Sequence, residues 1–93
     1  MIRSFADRAT EQFFRDGVCP ARWQAFAAVA ARKLDVLDAA VRLDELRSPP
    51  GNQLEALKGD RKGQFSIRIN RQWRVCFRWT LDGPEDVEIV DYH

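Results

Sequence analysis

A chain of 93 residues is long enough for one domain and too short for two, so residues 1–93 are read as a single domain with a modest core. An apolar content of 45%, with three Trp and six Phe, excludes a disordered polar chain. A net charge of +1 names no partner by itself, and one His with two isolated Cys gives no zinc-ligand spacing, so no metal or other cofactor is expected.

The first residues, Ile2 to Phe5, alternate weakly and predict a short strand; they lack the apolar run of a signal peptide. Asp7 reads as an N-cap for a helix over Arg8 to Arg15, with Ala9, Phe13 and Phe14 inward. Gly17 ends it and Cys19-Pro20 breaks the chain. Trp23, Phe26, Ala27, Ala30, Leu34, Leu37 and Val41 then recur at spacings of three and four, the stripe of a long helix packed on a core. Arg32, Lys33 and Asp35 interrupt its apolar content, so no segment can span a bilayer. The expectation is a cytoplasmic protein with reduced cysteines and no membrane partner.

Leu43 to Leu46 predicts a helical turn, and Ser48-Pro49-Pro50-Gly51-Asn52 a loop. Beyond it the period changes to two. Leu54 and Leu57 flank a short strand. Phe65, Ile67 and Ile69 alternate with Ser66 and Arg68, and Asn70-Arg71-Gln72 turns the chain. Trp73, Val75, Phe77 and Trp79 alternate with Arg74, Cys76 and Arg78. After a turn at Asp82-Gly83-Pro84, Val87, Ile89 and Asp91 continue the pattern. Helices first and strands second predict an α+β fold, two N-terminal helices on one face of a mainly antiparallel sheet of four to five strands.

Charge is unevenly placed. Residues 58–78 carry Lys58, Arg61, Lys62, Arg68, Arg71, Arg74 and Arg78 against Asp60 alone, a local net of +6. From charge alone, a phosphate-binding surface and ordinary solvated strand faces fit equally. The alternation favours the first. It puts Ser66, Arg68, Arg74, Cys76 and Arg78 on the sheet face away from the helices, where guanidinium groups on adjacent strands repel one another unless an anion binds.

Several segments in order resemble HigB-type toxins of the RelE/ParE superfamily. These are Leu54-Glu55-Ala56-Leu57-Lys58-Gly59-Asp60-Arg61-Lys62-Gly63, the hairpin Phe65-Ser66-Ile67-Arg68-Ile69-Asn70 with Gln72-Trp73-Arg74-Val75-Cys76-Phe77, and the ending Val90-Asp91-Tyr92-His93. Ser48-Pro49-Pro50-Gly51-Asn52 resembles the subgroup that includes the GraT toxin. The resemblance implies a RelE-like fold, cleavage of messenger RNA on the ribosome, and a HigA/GraA-like helix-turn-helix antitoxin encoded beside it. Operator DNA would be met only through the toxin–antitoxin complex.

Metal-free RNA cleavage needs a base for the ribose 2′-hydroxyl, cations for the phosphorane-like transition state and an acid for the 5′-oxygen, leaving a 2′,3′-cyclic phosphate. Asp91, Tyr92 and His93 match the family's functional C-terminal run. His93 can give or take a proton near neutral pH, Asp91 can orient it, and Tyr92 can stack on a base. Without the resemblance, a solvated terminus and a core-edge tyrosine explain them as well. Arg74 is the candidate for transition-state stabilisation and Arg68 the next. Lys58, Arg61, Lys62 and Arg71 are expected on the RNA backbone. Glu55 stands where related toxins place a histidine; it can be a substitute base, a salt-bridge partner of Arg68 or Arg74, or the mark of a weak enzyme. Two other functions fit the same fold: a ParE-like, non-catalytic inhibitor of DNA gyrase, and a binding module for acidic peptides.

Overall fold

The computed structural model describes residues 1–91; the candidate residues Tyr92 and His93 lie outside the described residues. Helix α1 spans Arg8–Asp16. The Asp7 side chain accepts the Thr10 N–H at its start, and Gly17 closes it in the left-handed conformation that glycine adopts without steric cost. Phe13 and Thr10 face inward, with Ala9 and Phe14 partly covered. The Thr10 hydroxyl also accepts the Ile89 backbone N–H (3.1 Å), tying the helix to the last strand.

The second apolar stripe is divided between two helical forms. A 3₁₀ segment runs Ala21–Phe26, and α-helix α2 follows over Ala27–Ala39. Trp23 and Phe26 are both buried and three residues apart, and a three-residue period keeps such a pair on one side. Ala30, Leu34 and Leu37 continue the stripe at 0% exposure. Val41 does not: the backbone turns extended at Ala40, and Val41 is 82% exposed.

After a 3₁₀ turn over Leu43–Arg47, four strands form one antiparallel sheet in the order β1-β2-β3-β4. They are β1 (Glu55–Ala56), β2 (Phe65–Arg68), β3 (Trp73–Thr80) and β4 (Gly83–Asp91). The expected strand at Ile2–Phe5 is reduced to a single parallel bridge between Phe5 and Val87. With Arg3 N–H on Pro84 O (2.7 Å) and Ala6 N–H on Val87 O (2.9 Å), it covers part of the open edge of β4.

Ile67, Val75 and Ile89 form one row across the sheet, and together with Phe77 and Val87 they meet α1 and α2 in the core. Trp73 stacks on Phe26 at 5.2 Å between ring centres. No helix among the described residues is long and apolar enough to cross a membrane.

Candidate active site

The register fixes which side chains share the sheet face turned away from the helices. Arg68 pairs with Arg74, and Arg74 with Val90, in one row. The next row holds Glu55, Ser66, Cys76 and Glu88. Directly opposed side chains on one face lie roughly 5 Å apart at Cβ, so Arg68 and Arg74 are immediate neighbours.

This face is less open than the sequence suggests. On it Ser66 and Cys76 are at 0% exposure and Arg74 at 8%, with the Gln53 carbonyl bonded to Arg74 and with Arg61 joined to Glu88 beside Cys76. Strand alternation says which face a side chain takes; it does not say what covers that face. The buried Arg74 is therefore held on several sides. Its Nε donates to Ser66 Oγ (2.6 Å) and its Nη2 to the Gln53 carbonyl (2.6 Å). Glu55 Oε1 lies 3.8 Å from Nη2. Nη1 makes no hydrogen bond among the described residues and is left to meet an anion. Arg68, half-buried, has no hydrogen-bond or ion-pair partner among the described residues.

Away from that row Arg61 and Arg78 have acidic partners. Arg61 Nη1 reaches Glu88 Oε1 (2.8 Å) and Gln64 Oε1 (3.0 Å), and Arg78 Nε stands 3.5 Å from Asp86. Beneath Arg61, burial raises the Cys76 thiol to about 11, so it stays protonated and unreactive near neutral pH. Cys19 and Cys76 are both free thiols. The Arg68–Arg74 pair lies beside the turn that carries Arg71, and Arg68 is the cation of this face without a partner among the described residues.

Similar proteins show the family. Residues 3–93 match the family model of HigB-like toxins, described as RelE-like toxins of type II toxin–antitoxin systems. This chain belongs to the HigB-like toxin family. A Vibrio cholerae protein named Toxin HigB-1 is 41% identical over 97 aligned positions, covering 100% of this chain and 98% of its own. A Proteus vulgaris protein named Endoribonuclease HigB is 29% identical over 93 positions, the full length of both. Among solved structures, a YoeB/ParE toxin from Agrobacterium tumefaciens superposes with a TM-score of 0.52 at 22% identity, covering 99% of this chain and 96% of that one. That likeness is one of fold, the RelE-like α+β arrangement. Family membership implies an antitoxin partner.

Within this HigB-like chain, the structure brings Glu55, Arg68 and Arg74 together and sets Asp91 apart. Asp91 pairs with Trp73, in the row on the helix side, and accepts a hydrogen bond from Gln72 Nε2 (2.9 Å). Arg71 is exposed in the hairpin turn; Lys58 and Lys62 are exposed at the opposite end of the sheet. Arg61 leaves the loop group, since Glu88 draws it onto the sheet face.

Ser66, the Gln53 carbonyl and Glu88 join the site without being expected there. For Ser66 a signal exists in the sequence, because alternation puts it beside Arg74. A backbone carbonyl has none. Among the described residues, no group of three or more His, Cys, Asp or Glu side chains could hold a metal ion.

Proposed function

We propose that this toxin is a metal-independent endoribonuclease that cuts messenger RNA on the ribosome and so arrests translation and growth in the cytoplasm. The observation that carries the reading is the Arg74 guanidinium, fixed by Ser66 and Gln53, beside Arg68; among the described residues neither Arg74 Nη1 nor Arg68 has a partner. Two adjacent guanidinium groups, one immobilised and one adjustable, suit a phosphate whose charge grows as the 2′-oxygen attacks. A preorganised donor costs no rearrangement in the transition state, which favours Arg74 as the stabilising cation.

In this reading Arg68 grips the non-bridging oxygens, while His93 and Tyr92 supply proton transfer and base stacking. Glu55 stands within reach of Arg74 and can take the 2′-hydroxyl proton in place of the family's histidine. Asp91, turned to the helix side and bonded to Gln72, is given no part in the phosphate chemistry in this reading. Lys58 and Lys62 at one end of the sheet and Arg71 at the other hold RNA backbone, with Arg61 on the face between them. The partner is a HigA/GraA-like helix-turn-helix antitoxin, through which alone the pair reaches operator DNA.

Primer extension on ribosome-bound message tests the proposal, together with detection of 2′,3′-cyclic phosphate ends. Arg68→Ala and Arg74→Ala should each lower cleavage roughly 10²–10³-fold, the usual cost of one transition-state donor. Deletion of His93 should abolish it. Intact message with accumulation of relaxed DNA would sink the proposal in favour of gyrase inhibition.

A further inference from the structure

The loop that supplies the Gln53 carbonyl is pinned from the far side of the sheet. Asn52 is 1% exposed although it lies in a Pro-Pro-Gly-Asn turn. Its Nδ2 donates to two carbonyls, Leu46 O and Ser48 O, each at 3.2 Å. Its Oδ1 accepts a hydrogen bond from Lys33 Nζ on α2, in the helix layer. Every polar atom of this buried amide is therefore satisfied, and the satisfaction ties residues 46–52 of the loop to helix α2.

The next residue, Gln53, sits at φ 45 and ψ 57, a left-handed conformation that non-glycine residues adopt only where their surroundings hold them in it. That conformation turns its carbonyl onto Arg74 Nη2. Lys33, Asn52, Gln53 and Arg74 thus form one continuous chain of contacts from the helix layer, round the edge of the sheet, to the opposite face.

We propose that Lys33 and Asn52 are positioning residues for Arg74: they hold Gln53 in its left-handed form, so that its carbonyl and Ser66 fix the guanidinium with Nη1 turned to the scissile phosphate. The inference rests on the nuclease reading for its consequence, though not for its geometry. Burial at the sheet edge, and Arg32 beside it, lower the Lys33 pKa from the ordinary lysine value. Lys33 is thus a partly desolvated cation, and the Asn52 amide oxygen compensates it. The clamp lies under the loop, and its members do not reach the open face where RNA would lie. They act on rate through geometry, not on RNA affinity through charge.

Lys33→Met removes the donor and keeps the length of the side chain; Lys33→Arg keeps a donor within reach; Asn52→Ala opens the whole clamp. Two measurements are made on the full chain. The first is hydrogen exchange and chemical shift of the Arg74 Nε–H by ¹⁵N NMR, which needs no activity. The second is the kcat and KM for cutting ribosome-bound message, with melting midpoints recorded for each variant.

Lys33→Met should speed exchange of the Arg74 Nε–H at least tenfold. It should lower kcat roughly 10–100-fold, the scale set by a misplacement near 1 Å, with KM changed less than about twofold. Lys33→Arg should recover most of both effects. In an Arg74→Ala background, Lys33→Met should cost nothing further in kcat.

Unchanged Arg74 Nε–H exchange in folded Lys33→Met overturns the positioning role whatever the activity. So does a full additive loss of kcat on top of Arg74→Ala. A wild-type protein that leaves message uncut fails the nuclease reading instead, and the exchange rates alone then decide whether the clamp holds Arg74.

Discussion

Ser66→Ala removes one oxygen atom from a site that is closed to water. In the structure that oxygen accepts the Arg74 Nε–H at 2.6 Å, with Ser66 at 0% and Arg74 at 8% exposure. The change in volume is small, so cavity formation contributes little. The cost comes from a charged group that loses an acceptor and gains no water in exchange, about 1.5–3 kcal/mol. The Glu55 carboxylate at 3.8 Å does not compensate, because its side chain is 54% exposed and a solvated pair of that kind contributes about 0–1 kcal/mol.

Taking about 2 kcal/mol, and about 4–8 °C per kcal/mol for a domain of this size, the melting midpoint should fall by about 8–16 °C. Urea melts of wild type, Ser66→Ala, Arg74→Met and the double variant give the coupling directly. It should lie near 1.5–3 kcal/mol, because neither single change leaves the other partner satisfied. A Ser66→Ala midpoint within experimental error of wild type, or additive single effects, would show that the hydroxyl does not hold the guanidinium. The fixed geometry assigned to Arg74 would then be lost.

Glu55→His places a near-neutral base where the carboxylate now stands, and it should raise cleavage of ribosome-bound message several-fold; a fall in rate would remove Glu55 from the position of base. The raised Cys76 pKa makes a pH prediction. The folded state binds the thiol proton more tightly than the unfolded chain, so its contribution is complete below about pH 9 and is lost as pH rises to about 11. Unfolding free energies from urea melts should decline across that window by on the order of 2–3 kcal/mol, and a Cys76→Ala protein should lack that component of the decline. Gly83→Ala should destabilise the fold by roughly 1–3 kcal/mol in the same melts, since Gly83 has φ 128 and an added Cβ would collide with the Met1 carbonyl oxygen. An unshifted midpoint would mean that the N-terminal residues do not dock on β4 in solution.

Much of this molecule is legible from periodicity. The short turn Asn70-Arg71-Gln72 leaves the hairpin little freedom of register, so the adjacency of Arg68 and Arg74 follows from counting residues. The same counting places Asp91: the parity that sends Val87 and Ile89 toward the helices sends Asp91 with them, away from the two arginines. What stays hidden depends on segments crossing one another. Ser66 and Cys76 alternate as surface residues would, yet both are buried, and the long Arg74 side chain bonds to the Ser66 hydroxyl. Asn52 looks like an ordinary turn amide until Lys33, nineteen positions earlier, is seen to reach it. Arg61 reads as a loop cation because its partner Glu88 lies twenty-seven residues away. Thr10 is inconspicuous in a helix of polar residues, since the backbone N–H it accepts belongs to the last strand.

The bridge between Phe5 and Val87, with the Ser4 hydroxyl accepting the Asp86 N–H across 82 positions, has a consequence for how the protein is made. At about 5–20 residues per second, residues 4–6 wait roughly 4–16 s for their partners to be translated. During that time the helices have no last strand to close on. A toxin assembled this way stays unfinished while its own message is being read, and completes itself only as its final strand arrives.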